Sequence, residues 1–143
     1  MRVNEVMTRR AECIPPDATL QEAAERMKKL DVGSLPVCDN NRLVGMLTDR
    51  DITVRSVSDG FDPRTDLVRD VMTPEVVYCF EDQDVTEAAK LMREKQIRRL
   101  AVLNRNKRLT GIVSLGDLAV EAGNEQLAGE TLEGISEPSS PQR

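Results

Sequence analysis

The chain contains the same pattern of residues twice. Val6-Met7-Thr8 returns as Val71-Met72-Thr73, and Glu22-Ala23-Ala24 returns as Glu87-Ala88-Ala89, in both cases 65 positions further on. Self-similarity at a fixed period indicates structurally equivalent units that pack together. The sequence therefore has to fold as two copies of one unit, here called copy one and copy two.

The spacing between the copies changes once. Arg42-Leu43 corresponds to Arg108-Leu109 at an offset of 66, so copy two has one residue more, opposite the polar run 39–41 of copy one. A hairpin loop tolerates one added residue, whereas a strand does not. The change predicts a hairpin in each copy, joining 35–38 to 43–47 and 100–103 to 109–113.

Each copy predicts a helix before its hairpin. Thr19 with Glu22 and Asp84 with Glu87 have the spacing of capping boxes at helix starts. The apolar residues that follow recur at helical spacing and should face a sheet: Leu20, Ala23, Ala24, Met27 and Leu30 in copy one, and Val85, Ala88, Ala89 and Met92 in copy two.

Short extended segments at Glu12–Pro15 and Val76–Phe80 complete a βαββα order, with closing helices that start near Thr48 and Ser114. A unit of this size buries too little apolar surface to stand alone. We therefore predict an α/β (α+β) fold in which two tandem βαββα repeats pack sheet to sheet about a pseudo-two-fold axis, with a ligand cleft between them.

The predicted boundaries are 1–57 for repeat one, 58–68 for a linker, 69–123 for repeat two and 124–143 for an acidic, Ser/Pro-rich tail. The tail has a composition that does not support its own folding, so we expect it to be mobile unless a partner chain holds it.

The composition argues against catalysis. Histidine is absent, which removes the commonest general base and metal ligand. The cysteines Cys13, Cys38 and Cys79 have no spacing typical of a disulfide framework or zinc site, so buried free thiols are expected. No catalytic residue and no metal are predicted. Without a bilayer-spanning run or secretory signal, the expected location is cytoplasmic.

Three segments together carry a family resemblance: Val6–Thr8, Gly33–Val37 and Gly45–Ile52, each with a second-copy equivalent. Over about residues 5–122 the chain resembles a pair of cystathionine-β-synthase (CBS) domains, or Bateman module. The resemblance implies a regulatory module that senses an adenine nucleotide such as AMP, ADP or ATP. It implies no required cofactor, a homodimer, and an effector protein still to be identified.

The pairs Thr48/Asp51 and Ser114/Asp117 have two interpretations from the residues alone. A hydroxyl and free N–H groups at a helix start suit a phosphate, and a carboxylate suits the two hydroxyls of a ribose. The same spacing is that of a capping box without any ligand. The resemblance implies that Asp51 and Asp117 bind ribose.

The resemblance also assigns two unequal sites. Gly33-Ser34 of copy one is replaced by Arg98-Arg99 in copy two, where family members often carry basic residues against phosphate. The tighter site is expected to contain Ser114, Asp117, Arg98, Arg99, Ile112, Ile14, Val32, Leu35 and Pro36. The weaker site is expected to contain Thr48, Asp51, Met46, Val77, Ile97 and Leu100. Core packing is the alternative role of the apolar members.

Two other functions compete with nucleotide sensing. One is a module that only dimerises or docks on a protein. The other is nucleic-acid binding through 90–108, which holds eight basic residues and one acid. The chain has a net charge of −5 and only one tyrosine, two phenylalanines and no tryptophan for base stacking, so nucleic acid is not the expected partner.

Overall fold

The computed structural model describes residues 1–9, 12–120 and 125–137. They form a mixed α+β fold of helices and two small sheets, as predicted. In chain order the elements are α1 Leu20–Leu30, β1 Ser34–Asp39, β2 Arg42–Thr48, α2 Asp49–Asp51, β3 Tyr78–Phe80, α3 Val85–Lys95, β4 Arg99–Leu103, β5 Leu109–Ser114, α4 Leu115–Val120 and α5 Glu125–Ser136. None of the helices in these ranges is long and apolar enough to cross a membrane.

The chain divides into two compact units, which differ from the sequence copies. The first-copy unit comprises 11–76 and 107–109, and the second-copy unit comprises 1–10, 77–106 and 110–143. Each unit has its own hydrophobic core. Residues 1–9 thus pack with copy two, although they belong to copy one in the sequence.

The first-copy unit contains the predicted hairpin of β1 and β2. The strands are antiparallel from Ser34↔Thr48 to Asp39↔Arg42. Asn40 and Asn41 have φ values of 51° and 67°, which asparagine tolerates at a two-residue turn. Helix α2 continues beyond Asp51 as a π-helix over Ile52–Val57.

The prediction that Glu12–Pro15 forms a strand was wrong. Only Ile14 forms a bridge, parallel to Val37 of β1. Pro15 and Pro16 follow it and have no backbone N–H to continue a ladder. In copy two the equivalent segment does form β3, which pairs in parallel with β4, and β5 lies on the other side of β4.

Both predicted helix starts carry a side-chain cap. Glu22 N–H donates to Thr19 Oγ1 at 3.2 Å, and Thr86 N–H donates to Asp84 Oδ1 at 2.9 Å. The hydrogen bonds described include no return bond from the side chain of Glu22 or Glu87, so the full box is not formed there. The helix boundaries follow the predicted periodicity.

The apolar face of α1 is only partly buried, contrary to the prediction. Leu20, Ala23 and Met27 are buried, but Ala24 and Leu30 are exposed. All four predicted residues of α3 are buried. Helix α3 packs against α5 as well as against β4.

The prediction of a mobile tail was wrong for Glu125–Ser136, which forms α5. Leu127 and Ile135 pack against the core of the second-copy unit, and Ala128 and Thr131 are buried. Beyond the end of the helix, Gln96 Nε2 donates to Glu137 O at 2.6 Å. The rest of the predicted tail lies outside the described residues.

The Val-Met-Thr segments pack across the sequence copies. Thr8 N–H donates to Ile112 O at 2.9 Å, and Ile112 N–H donates back to Thr8 O at 3.0 Å, within the second-copy unit. Met46 and Thr73 exchange the same pair of bonds at 2.9 Å in the first-copy unit. Each segment therefore lies along the strand that ends at a candidate site.

Candidate functional site

In the first-copy unit, the candidate residues Thr48 and Asp51 lie where β2 meets α2. Asp51 N–H donates to Thr48 Oγ1, and Thr48 N–H donates to Asp51 Oδ2, both at 3.0 Å. This reciprocal pair is a capping box. Both residues are half-buried.

The second-copy unit repeats this geometry where β5 meets α4. Asp117 N–H donates to Ser114 Oγ at 3.1 Å, and Ser114 N–H donates to Asp117 Oδ2 at 2.8 Å. The capping interpretation is therefore confirmed in both copies. In Asp51 and Asp117 the other carboxylate oxygen, Oδ1, has no hydrogen bond among the described residues. The hydroxyls of Thr48 and Ser114 each accept one hydrogen bond and donate none there.

The backbone places residues 33 and 98 beside these junctions. Asp49 N–H donates to Gly33 O, and Leu115 N–H donates to Arg98 O, both at 2.9 Å. The backbone of Arg98 therefore lies next to Ser114 and Asp117 within one unit. Gly33 holds the same place beside Thr48 and Asp51.

The two junctions differ in charge. In copy two, Arg98 and Arg99 are exposed, and neither side chain has a hydrogen-bond or ion-pair partner among the described residues. In copy one, Gly33 has no side chain, and a Cβ added to it would lie 3.1 Å from Asp49 Oδ2. A basic junction in copy two therefore contrasts with an acidic one in copy one.

Sequence reasoning missed Asp49 and its copy-two counterpart Leu115. Asp49 adds a second carboxylate to the junction that already holds Asp51, and its Oδ1 accepts from Arg50 N–H at 2.8 Å. Copy one therefore has one more carboxylate at its junction than copy two, where Leu115 carries no charge. The signal was available, because the repeat aligns the two positions.

The apolar candidates of the first-copy unit divide by exposure. Ile14, Leu35 and Pro36 are buried, with Ile14 N–H donating to Pro36 O at 2.9 Å. Ile14 and Leu35 belong to the same core cluster, so packing accounts for them without a ligand. Val32, at 42% exposure, and the half-buried Met46 are accessible to a small molecule.

The second-copy unit divides in the same way. Leu100, the counterpart of Leu35, is buried in its core. Val77 and Ile97 are partly buried against that core, and Ile112 is half-buried. The structure thus supports a packing role for the two leucines, while the binding role of all these residues stays a prediction.

The basic stretch is distributed over several elements. Lys90 on α3 pairs with Glu94 at 3.9 Å, and Arg105 after β4 pairs with Asp82 at 2.8 Å. The Arg105 guanidinium also lies 4.2 Å from the centre of the Phe80 ring. Two of the eight basic residues, Lys90 and Arg105, are therefore paired with nearby acids.

Across the ranges that the structure describes, no three cysteine, aspartate or glutamate residues are grouped as metal ligands. Cys38 and Cys79 are buried free thiols, as expected, and Cys13 is half-buried. Burial raises the pKa of the Cys79 thiol to about 12.

Comparison with protein families identifies the class to which these units belong. The family model for the CBS domain matches residues 3–57 and 68–123. The chain belongs to the CBS-domain family and contains two such domains in tandem, as the repeat and its motifs predicted.

Particular relatives agree with this assignment. The CBS domain-containing protein YhcV of Bacillus subtilis is 42% identical over 134 residues, 94% of each chain. Hypoxic response protein 1 of Mycobacterium tuberculosis is 36% identical over 116 residues, 80% of each chain.

Two solved structures carry information on ligands. A structure of Hypoxic Response Protein I with two coordinated zinc ions has a TM-score of 0.76 and 35% identity, over 83% of this chain and 97% of that one. The structure of CBSX2 in complex with AMP has a TM-score of 0.73 and 28% identity, over 85% and 95%.

Proposed function

We propose that this chain is a regulatory module that binds an adenine nucleotide, without a catalytic step, and works as a homodimer. Membership of a family known for adenine nucleotide binding supports the ligand class, as does the AMP complex of CBSX2. The observation that carries the proposal is a set of polar groups at one junction that still have hydrogen-bonding capacity: the Arg98 side chain, Asp117 Oδ1 and the Ser114 hydroxyl proton.

The Ser114 junction has the chemistry that a nucleotide requires. Asp117 Oδ1 accepts hydrogen bonds from the ribose hydroxyls while Oδ2 keeps its bond from Ser114 N–H. The Ser114 hydroxyl accepts from Asp117 N–H and still has a proton to donate to a phosphate oxygen. The Arg98 and Arg99 guanidinium groups pair with the phosphate charge.

The Thr48 junction binds more weakly in this proposal. Its hydroxyl and carboxylate are arranged in the same way, but Gly33 offers no cation and Asp49 adds a negative charge. We therefore expect the phosphate group to favour the Ser114 junction. The apolar residues that the resemblance places in the two sites stay predictions, and Val32 and Ile112 are among the more accessible of them.

The test is a calorimetric titration of AMP, ADP and ATP into the full chain and into three variants. Asp117→Asn keeps an oxygen that can accept from Ser114 N–H but removes the charge that binds the ribose hydroxyls. We expect about a tenfold to hundredfold loss of affinity, because a hydrogen bond to a charged group contributes about 1.5–3 kcal/mol. Arg98→Gly, which reproduces copy one, should lose affinity by a similar factor.

Asp51→Asn is the matched control, because it makes the same change at the other junction. It should leave the tighter binding event unchanged. Melting temperatures of all variants, measured without nucleotide, establish that the caps are still intact. If no nucleotide binds the wild type, or if Asp51→Asn costs more than Asp117→Asn, the proposal is wrong.

A second candidate function, protein docking without nucleotide, is favoured by apolar residues at the surface. On the helix that follows α2, Val54 is 49% exposed and Val57 is 67% exposed. Failure of all three nucleotides to bind would leave this function as the better account, with the two aspartates acting only as caps.

A further inference from the structure

Cys13 and Cys38 come together in the first-copy unit although 25 positions separate them in the sequence. Ile14, next to Cys13, forms a parallel bridge with Val37, next to Cys38. Cys38 N–H donates to Ile14 O at 3.1 Å, so the backbone brings the segments that carry the two cysteines side by side. This pair was not predicted, because the spacing of the two cysteines is not typical of a disulfide framework or a zinc site.

The segment that contains Cys13 is attached to its neighbours by only a few hydrogen bonds among the described residues. Arg26 Nη1 donates to Cys13 O at 3.0 Å, which holds the segment against α1. Within residues 12–15 only Ile14 forms a bridge to β1, so Cys13 itself is not part of a β-ladder. This arrangement lets the Cys13 sulfur adjust to the specific geometry that a disulfide requires.

The thiols are unequal. The side-chain interaction between the two cysteines lowers the pKa of Cys13 and raises the pKa of Cys38. Cys13 is also the more accessible of the two, being half-buried while Cys38 is buried. A thiolate that is accessible is the one that oxidants attack first.

We propose that Cys13 and Cys38 form a redox-sensitive dithiol, in which Cys13 reacts with a hydroperoxide and Cys38 resolves the product as an intramolecular disulfide. Cys79, buried in the second-copy unit, takes no part.

The oxidation of the two thiols to a disulfide takes two steps. The Cys13 thiolate attacks one oxygen of hydrogen peroxide, so an S–O bond forms, the O–O bond breaks and hydroxide leaves, which gives a sulfenic acid. The Cys38 sulfur then attacks the Cys13 sulfur, so the S–S bond forms and the S–O bond breaks. The departing hydroxide takes the Cys38 proton as water. Two thiols are oxidised by two electrons, and peroxide is reduced to water.

The test is peptide mapping of the folded full chain after treatment with hydrogen peroxide and alkylation of the remaining thiols. We expect a mass decrease of two hydrogen atoms and a peptide pair that links Cys13 to Cys38. Cys79 should remain alkylatable after unfolding. Reduction with dithiothreitol should restore both thiols.

A matched pair of variants separates the two steps. In Cys38→Ala, dimedone should label Cys13 as a sulfenic acid, whereas in Cys79→Ala the disulfide should form as in the wild type. The wild-type map decides the question even if a variant does not fold. Two free thiols after oxidation, a Cys13 sulfinate in the wild type, or a disulfide through Cys79 would each overturn the proposal.

Discussion

Replacing Gly111 with alanine tests how closely residues 3–8 pack on β5. A Cβ added at this buried glycine would lie 2.6 Å from Thr8 O and 2.9 Å from Met7 Sδ. The nearer atom is backbone, which cannot rotate away as a side chain does. The Thr8 segment has to move, and the two hydrogen bonds that it shares with Ile112 lengthen or break.

The expected cost follows from this geometry. Overpacking a filled site typically costs about 1–3 kcal/mol, and we expect the Gly111→Ala loss in this range. Gly45→Ala, the equivalent change in the first-copy unit, should cost less. There the nearest atom is Met72 Sδ at 2.5 Å, the end of a flexible side chain, and the backbone atom Thr73 O is 3.1 Å away.

Urea denaturation at equilibrium measures both losses, and amide hydrogen exchange at Thr8 and Ile112 locates them. Gly129→Ala is the control, since nothing lies within 4 Å of an added Cβ in α5. It should raise stability by about 0.5–1 kcal/mol, as alanine favours a helix. A Gly111→Ala protein as stable as the wild type would refute the close packing of the Val-Met-Thr segment.

Two further predictions concern α5 and one surface ion pair. Ala128→Arg places a guanidinium on the buried side of α5 and should lower the free energy of unfolding by about 1–3 kcal/mol, measured by thermal or urea unfolding. Glu130→Arg, on the exposed side, should change it little. Equal stabilities of the two variants would contradict the docking of α5. The guanidinium of Arg105 lowers the pKa of Asp82, so its stabilising contribution is present above the ordinary carboxyl pKa of about 3.9 and is lost as pH falls through the lower folded value. In Arg105→Gln the Asp82 pKa, followed by NMR titration, should rise toward its ordinary value, and an unchanged pKa would show that the ion pair is not formed.

The elements that the sequence predicted well are those fixed by local rules. The hairpins and the helix starts depend on turn residues, alternation and caps that lie within a few positions of one another. Helix α5 was missed because composition was given more weight than spacing. Leu127, Thr131 and Ile135 recur every four residues, which is the spacing of a helix face, and this signal was present in the predicted tail.

The candidate site was predictable only in part. The caps at Thr48 and Ser114 follow from spacing, and the contrast between Gly33 and Arg98 follows from the repeat. The Cys13–Cys38 pair could not be predicted from the sequence, because it depends on which segment lies beside β1. Tertiary neighbours of this kind are set by packing between distant segments and leave no periodic trace in one sequence.

The exchange of the Val-Met-Thr segments shows the limit of reasoning from a repeat. The period identifies equivalent residues but does not say which copy of the core each segment completes. Val68, at the end of the predicted linker, and Val71, at the start of copy two, are fully buried in the first-copy core, and Val3 is fully buried in the second-copy core. A fragment cut at the sequence boundary would lack buried side chains of its own core. The folded unit is therefore defined by burial, whereas the repeat defines only the equivalence of the two candidate sites.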